Sequence, residues 1–286
     1  MSNPMLNDKA LERASGVWAA PDVLTRSTQL DAPRGPGLPP PQARTIPPIN
    51  DGPISAWKSG TMTVNGTISA TGVLMVLLLG AAVVGWMSVK TTVGTNPSFP
   101  PLALVGVVVG FIAVIALYFK PQWAKILGPV YAIAEGYFLG VISKAYETFQ
   151  KGIVLQAVGA TLGVFLVMLV LYKTQILKVT DRFRRMVIGA TMGLMLFYVV
   201  SFVIRLIAGS DSVSFLSSAS GLGIAFSVFA AGLAALNLAI DFDFIEKGSA
   251  QGLPKQTEWF AAVGLLVTIV WLYLELLRLL SKLQRN

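Results

Sequence analysis

"LNLAIDFDFIEKG", Leu236–Gly248, places Asp241, Asp243 and Glu246 directly after a long stretch without any charge. An uncharged apolar run that ends in a cluster of acids reads as a membrane-spanning helix arriving at water. On a helix, Asn237 and Asp241 lie four apart and share a face. Asp243 and Lys247 are also four apart, about 200° around the axis from Asp241. Glu246 follows three residues after Asp243. The acids therefore sort into two groups. Asp243, Glu246 and Lys247 read as a solvated interfacial face with a local salt bridge, worth a few tenths of a kcal/mol. Asn237 and Asp241 continue a polar stripe back into the membrane and are the better site candidates.

The whole chain has the composition of a membrane protein. Of 286 residues, 54% are hydrophobic and 13% charged, and the mean hydropathy is +0.68. A soluble domain carries about 25% charged residues. Cysteine and histidine are absent. That removes disulfides, thiolate nucleophiles, His-based triads and His or Cys metal sites. Ionisable chemistry must come from carboxylates, Lys, Arg or Tyr, and no cofactor is expected. The net charge is +8. No basic patch interleaved with aromatics points to nucleic acid, so the excess reads as a determinant of membrane orientation.

Residues 1–60 differ from the rest and form a tail; residues 61–286 form the membrane domain. The tail holds 10 of the 16 prolines, with "APRGPGLPPPQARTIPP" at Ala32–Pro48. Its mixed charges and low apolar content leave it disordered, with polyproline II character near Pro39–Pro41. A short helix fits Asn7–Ala14. No apolar stretch follows the first charges, so a cleaved signal peptide is not expected. A solvated tail is the plain expectation, and a docking segment for a membrane protein partner the sharper one.

A helix needs roughly 20 apolar residues to cross the bilayer core. Seven spans qualify: Thr63–Met87, Pro101–Phe119, Ile126–Ile142, Ile153–Tyr172, Met186–Ala208, Phe215–Ile240 and Trp259–Leu280. All seven would contact membrane lipid. The third is interrupted by Gly128, Pro129, Glu135, Gly136 and Gly140. Gly106/Gly110, Gly136/Gly140, Gly159/Gly163 and Gly189/Gly193 read as faces for close helix packing. Call the N-terminal side of the membrane side A. The loop "YKTQILKVTDRFRR" gives side A the larger share of Lys and Arg, so side A is expected to be cytoplasmic. An odd number of spans then puts the C-terminus on side B, outside the cell's inner (plasma) membrane.

Ionisable groups at membrane depth are costly and are functional candidates. Glu135 lies near the bilayer centre. It is protonated there, faces water, or accepts a hydrogen bond from a hydroxyl such as that of Tyr131; a functional role and a structural one stay equally open. Glu275 and Arg278, in "WLYLELLRLL", are three apart and can pair. Arg205 is a second possible partner. Gly264, Thr268, Trp271 and Glu275 share one helical face.

"AEGYFLGVIS" at Ala134–Ser143, "LNLAIDFDFIEKG", and "EWFAAVGLLVTIVWLYLELLRLL" at Glu258–Leu280 resemble the Bax inhibitor-1 family (transmembrane Bax inhibitor motif proteins), in its bacterial branch. The similarity covers roughly Trp57 to the C-terminus and leaves the tail outside. The resemblance implies an all-α fold of seven transmembrane helices, six in paired layers around a central seventh. It also implies a pH-sensitive calcium leak controlled by an acidic pair from the sixth and seventh helices. By motif the pair falls on Asp241 and Glu275, which would also meet calcium transiently. The seventh-helix acid of the family is usually Asp; here it is Glu. The expected spans also hold Asp241 near side A and Glu275 far from it. Asn237, Asp243, Glu246 and Glu258 form a possible cation pathway or mouth on side A. Calcium takes six to eight oxygen ligands, and two close carboxylates titrate as a coupled pair, so pH would bias a gate.

The competing expectation is a regulatory protein without flux, binding another membrane protein, such as a protease, through the tail. An intramembrane aspartyl protease would carry YD and GxGD motifs. Here Ile240 precedes Asp241 and no GxGD occurs, so enzymatic activity is not expected. A proton-coupled transporter working through Glu135 lacks a clear pair of broken helices.

Overall fold

A computed structural model describes residues 60–90, 99–208 and 218–285. The tail and its Asn7–Ala14 helix lie outside the described residues, as does the start of the sixth expected span. Among the described residues there are seven long helices and no strand. They are α1 (Val64–Ser88), α2 (Pro101–Phe119), α3 (Ala124–Phe149), α4 (Ile153–Lys173), α5 (Asp181–Ala208), α6 (Gly221–Ala250) and α7 (Thr257–Leu283). All seven are long and apolar enough to cross a membrane.

Local chemistry starts several of them. Thr63 caps α1, its hydroxyl accepting from the Gly66 amide at 2.9 Å. Pro101 opens α2 at a position where a missing N–H costs nothing. Ser220 caps α6 by accepting from the Gly223 amide. The third span, expected at Ile126–Ile142 despite its Gly and Pro, is one continuous helix through Pro129 to Phe149. One expectation shifts. The sixth does not stop at Ile240. It runs ten residues further, about 15 Å, so Asp241, Asp243 and Glu246 all lie on α6 itself.

α7 is the central helix. Its most apolar window is 67% buried, against 17–28% for α1, α2, α4 and α5. One side of it joins α4 and α6 through Met168, Leu238 and Leu272. Another joins α1, α2 and α3 through Leu74, Ala113, Ala132 and Leu266. Leu277 packs on Ile153 and Ala157 of α4. α5 leans on α6 through Val187, Leu194 and Ala230, with Trp271 of α7 against them. The outer helices keep large side chains outward, such as Val76, Leu155 and Leu196. An apolar surface of that extent belongs against lipid.

In lipid the hydrophobic effect does not drive helices together, so close packing must. The α1–α3 seam shows how. Cβ atoms added at Gly136 and Gly140 would run into the α1 backbone at Leu78 and Ala82. Gly159/Gly163 and Gly189/Gly193, expected to be similar faces, have no described atom near them and are exposed. Those two pairs are not packing faces within the described residues.

Before α1 the chain is tied to the α6–α7 loop. Met62 N donates to Leu253 O at 2.6 Å and Lys255 N to Gly60 O at 3.0 Å, and Met62 is fully buried. The segment leaving toward the tail is thus anchored at the side A end of the bundle.

Candidate functional site

Polar groups inside the bundle fall at three levels along α6 and α7. The first is the side A end. Asp243 is 5% exposed and is not part of a solvated face. Its Oδ2 accepts from Arg184 at 2.6 Å and meets Lys247 at 2.9 Å. The expected local pair with Lys247 is therefore real, but Arg184, in the first turns of α5, is the partner that explains the burial. Glu246 is exposed, as expected, and accepts from the Tyr172 hydroxyl of α4 at 2.5 Å. Glu258, 5% exposed, accepts from both the amide and the hydroxyl of Thr63 at 2.9 Å. A carboxylate over the first turn of α1 also complements that helix's positive end.

The second level is Asp241. Part of the residue is accessible, but its Oδ2 is buried without a hydrogen-bond partner. The carboxylate faces the Thr268 hydroxyl of α7. Beside it is a gap of about 220 Å³ lined by Phe244 of α6 and Phe260, Ala261 and Gly264 of α7. An unsatisfied buried oxygen is an exception in folded proteins and calls for a functional or solvent-based explanation. A charge there must recruit water or a cation, or take up a proton. Asn237 does not share this position. Its amide turns to α5, donating to Thr191 Oγ1 and to Leu233 O, both at 2.8 Å.

The third level is Glu275, 2% exposed. Oε1 accepts from the Tyr198 hydroxyl at 2.8 Å and from Trp271 Nε1 at 3.2 Å. Arg278 Nη1 closes the group, 3.1 Å from Oε2 and 2.9 Å from the Tyr198 oxygen. The guanidinium also lies over the Tyr198 ring, 5.3 Å from its centroid. This network ties α7 to α5. On its side B flank opens a cavity of about 550 Å³ lined by Arg205, Arg278, Lys282 and Arg285.

A sequence model of the family described as Bax inhibitor 1 like matches residues 3–285. The chain belongs to that family. The match begins in the tail, which the resemblance alone had left outside. No curated protein matches the chain.

In this Bax inhibitor 1 like chain, the acidic pair assigned by motif does not touch. Asp241 stands level with Thr268, and Glu275 lies two turns further along α7, about 10 Å. Arg278, not Asp241, holds Glu275. Arg205, the other expected partner, lines the side B cavity. The four residues of the expected mouth bond different partners. Asn237 bonds α5, Asp243 bonds Arg184, Glu246 bonds α4, and Glu258 bonds Thr63. Among the described residues no three acids gather to hold a metal. Glu135 stands against the Gly110 face of α2 beside Tyr131, apart from the α6–α7 levels.

Several partners were not visible as such in the sequence. Arg184 reads as one more loop cation, and Tyr198 and Thr191 as neutral span residues. Lys282 reads as a terminal charge, yet it is 3% exposed. One signal was available for it. Gly264, Thr268, Trp271, Glu275, Arg278 and Lys282 advance in steps of four and three, so the stripe seen on the seventh span continues to Lys282.

Proposed function

We propose that this membrane protein is a pH-sensitive calcium leak gated by protonation of carboxylates on α6 and α7. Its inferred setting is the inner membrane, with the N-terminus cytoplasmic, the C-terminus outside, and no enzymatic activity. The supporting observation is Asp241, an acid at the α6–α7 seam whose Oδ2 is buried without a partner beside a gap. Its protonation changes the charge of the seam at the step where the two helices pack. Glu275 is the second element. Taking up a proton would cost it the ion pair with Arg278 and loosen the tie between α7 and α5. A cation arriving from side B first meets four basic side chains. The described arrangement is therefore read as closed, with calcium as passing cargo.

The test is calcium uptake by liposomes containing the purified protein, across a range of pH, against protein-free liposomes. Uptake that changes with pH supports the leak; a folded protein without uptake at any pH sinks it.

A second reading is a non-conducting regulator that binds another membrane protein through its tail. The anchoring of Gly60–Met62 on the α6–α7 loop supports it, because a partner's pull on the tail would reach the same seam. Deleting residues 1–55 separates the two: uptake that persists while partner binding is lost assigns binding to the tail and flux to the bundle.

A further inference from the structure

The gap beside Asp241 is shaped to receive more than a proton. Asp241 and Phe244 lie three apart on α6, and Phe260 and Gly264 four apart on α7, so each pair shares a helix face. The four meet around a space of about 220 Å³. The two rings stand edge to face, with 6.2 Å between centroids and 67° between planes. Asp241 Oδ2 is buried without a hydrogen-bond partner among the described residues. Thr268, the hydroxyl it faces, donates to Gly264 O within α7 at 3.2 Å. A buried acceptor left unfilled costs about 1–3 kcal/mol, and more when it is charged. A positively charged N–H donor removes both costs at once. The gap is also reachable. α7 is the most enclosed helix, yet Gly264 is exposed, and a Cβ built on it would meet no described atom within 4 Å. Phe244 is 36% exposed at the same opening. Calcium asks for six to eight oxygens. A carboxylate oxygen flanked by two phenyl rings suits an ammonium with an apolar body. The volume lies below the roughly 300 Å³ at which sites for drug-sized ligands begin, so that body is small.

We infer that this gap binds a small protonated alkylamine, its ammonium donating to Asp241 Oδ2 and its carbon chain lying against Phe244 and Phe260. The site goes beyond the leak and does not depend on it, because the amine needs the geometry of α6 and α7 and not flux. An amine seated there bridges the two helices at their seam.

The test is calorimetric titration of n-butylammonium chloride into the full-length protein in detergent. It is run without calcium at about pH 8, where an alkylamine stays protonated. Two controls divide the chemistry: n-butanol has the same chain without the charge, and tetramethylammonium has the charge without an N–H donor. Saturable binding of butylammonium, about tenfold or more tighter than that of either control, is the expected result. Asp241→Asn should weaken it about tenfold by removing the charge-assisted hydrogen bond. Gly264→Leu should abolish it, because the new side chain grows into the open space, where it displaces no described atom. Butylammonium that binds no more tightly than butanol or tetramethylammonium, or equally to wild type and either variant, overturns the inference. Binding is read without flux, so its failure and a failure of calcium uptake in liposomes are separate results.

Discussion

Asp243 and Glu275 are both buried carboxylates paired with an arginine, Asp243 with Arg184 of α5 and Glu275 with Arg278 of its own helix, yet they stand in different company. Asp243, at the side A end, has two cations of its own, Arg184 and Lys247. Glu275, toward side B, has one cation, shared with a tyrosine and bordered by an open basic cavity. The first arrangement is a closed clasp between α5 and α6. The second is a tie between α5 and α7 whose cation can find other partners. A clasp with redundant cations suits an anchor, and a tie with one exchangeable cation suits a moving part. Asp241 lies between them with no cation paired to it among the described residues.

Substitutions sharpen that contrast. The largest effect is expected at Glu275→Ala. It strands Arg278, whose side chain is 38% exposed, and costs about 2–3 kcal/mol. Unfolding in detergent measures this, and Glu275→Ala/Arg278→Ala should recover part of the loss because no charge is left alone. Glu258→Ala comes next. It removes the acceptor of the Thr63 amide and hydroxyl and weakens the start of α1 by about 1–2 kcal/mol. Arg184→Ala should cost about 1 kcal/mol, since Lys247 remains to face Asp243. Lys247→Ala should cost a few tenths of a kcal/mol, as its side chain is 52% exposed and the pair lies within one helix. Arg184→Ala proving costlier than Glu275→Ala would reverse the assignment of anchor and moving part.

Much of the fold was legible because a bilayer forces long apolar runs, and the expected spans match α1, α2, α4 and α7 within a few residues. α6 was cut short for a physical reason. Its apolar run ends at Ile240, but the helix continues because Arg184 and Tyr172, on other helices, supply partners for Asp243 and Glu246. Spacing within one segment does not report such partners. The glycine pairs teach the same point. Gly136/Gly140 and Gly159/Gly163 share one spacing, but only the first pair has a helix backbone lying against it. For the site, the stripe along α7 was legible as a stripe. Its meaning was not, because Tyr198 comes from a helix whose facing side the sequence does not declare. The motif acids Asp241 and Glu275 were readable individually, and their two-turn separation on the bundle was foreshadowed by the span boundaries.

The central claim is that the charge on Asp241 biases the α6–α7 seam. The most direct measurement is calcium uptake into liposomes from about pH 6 to pH 8, a range in which a buried acid can titrate, for wild type and Asp241→Asn. Asparagine is neutral and close in shape to the protonated acid. The variant is therefore expected to hold uptake at the wild-type low-pH value throughout, while wild type changes with pH. A folded Asp241→Asn protein that keeps the full wild-type pH dependence would contradict the account and move the sensor to Glu275 or Glu135.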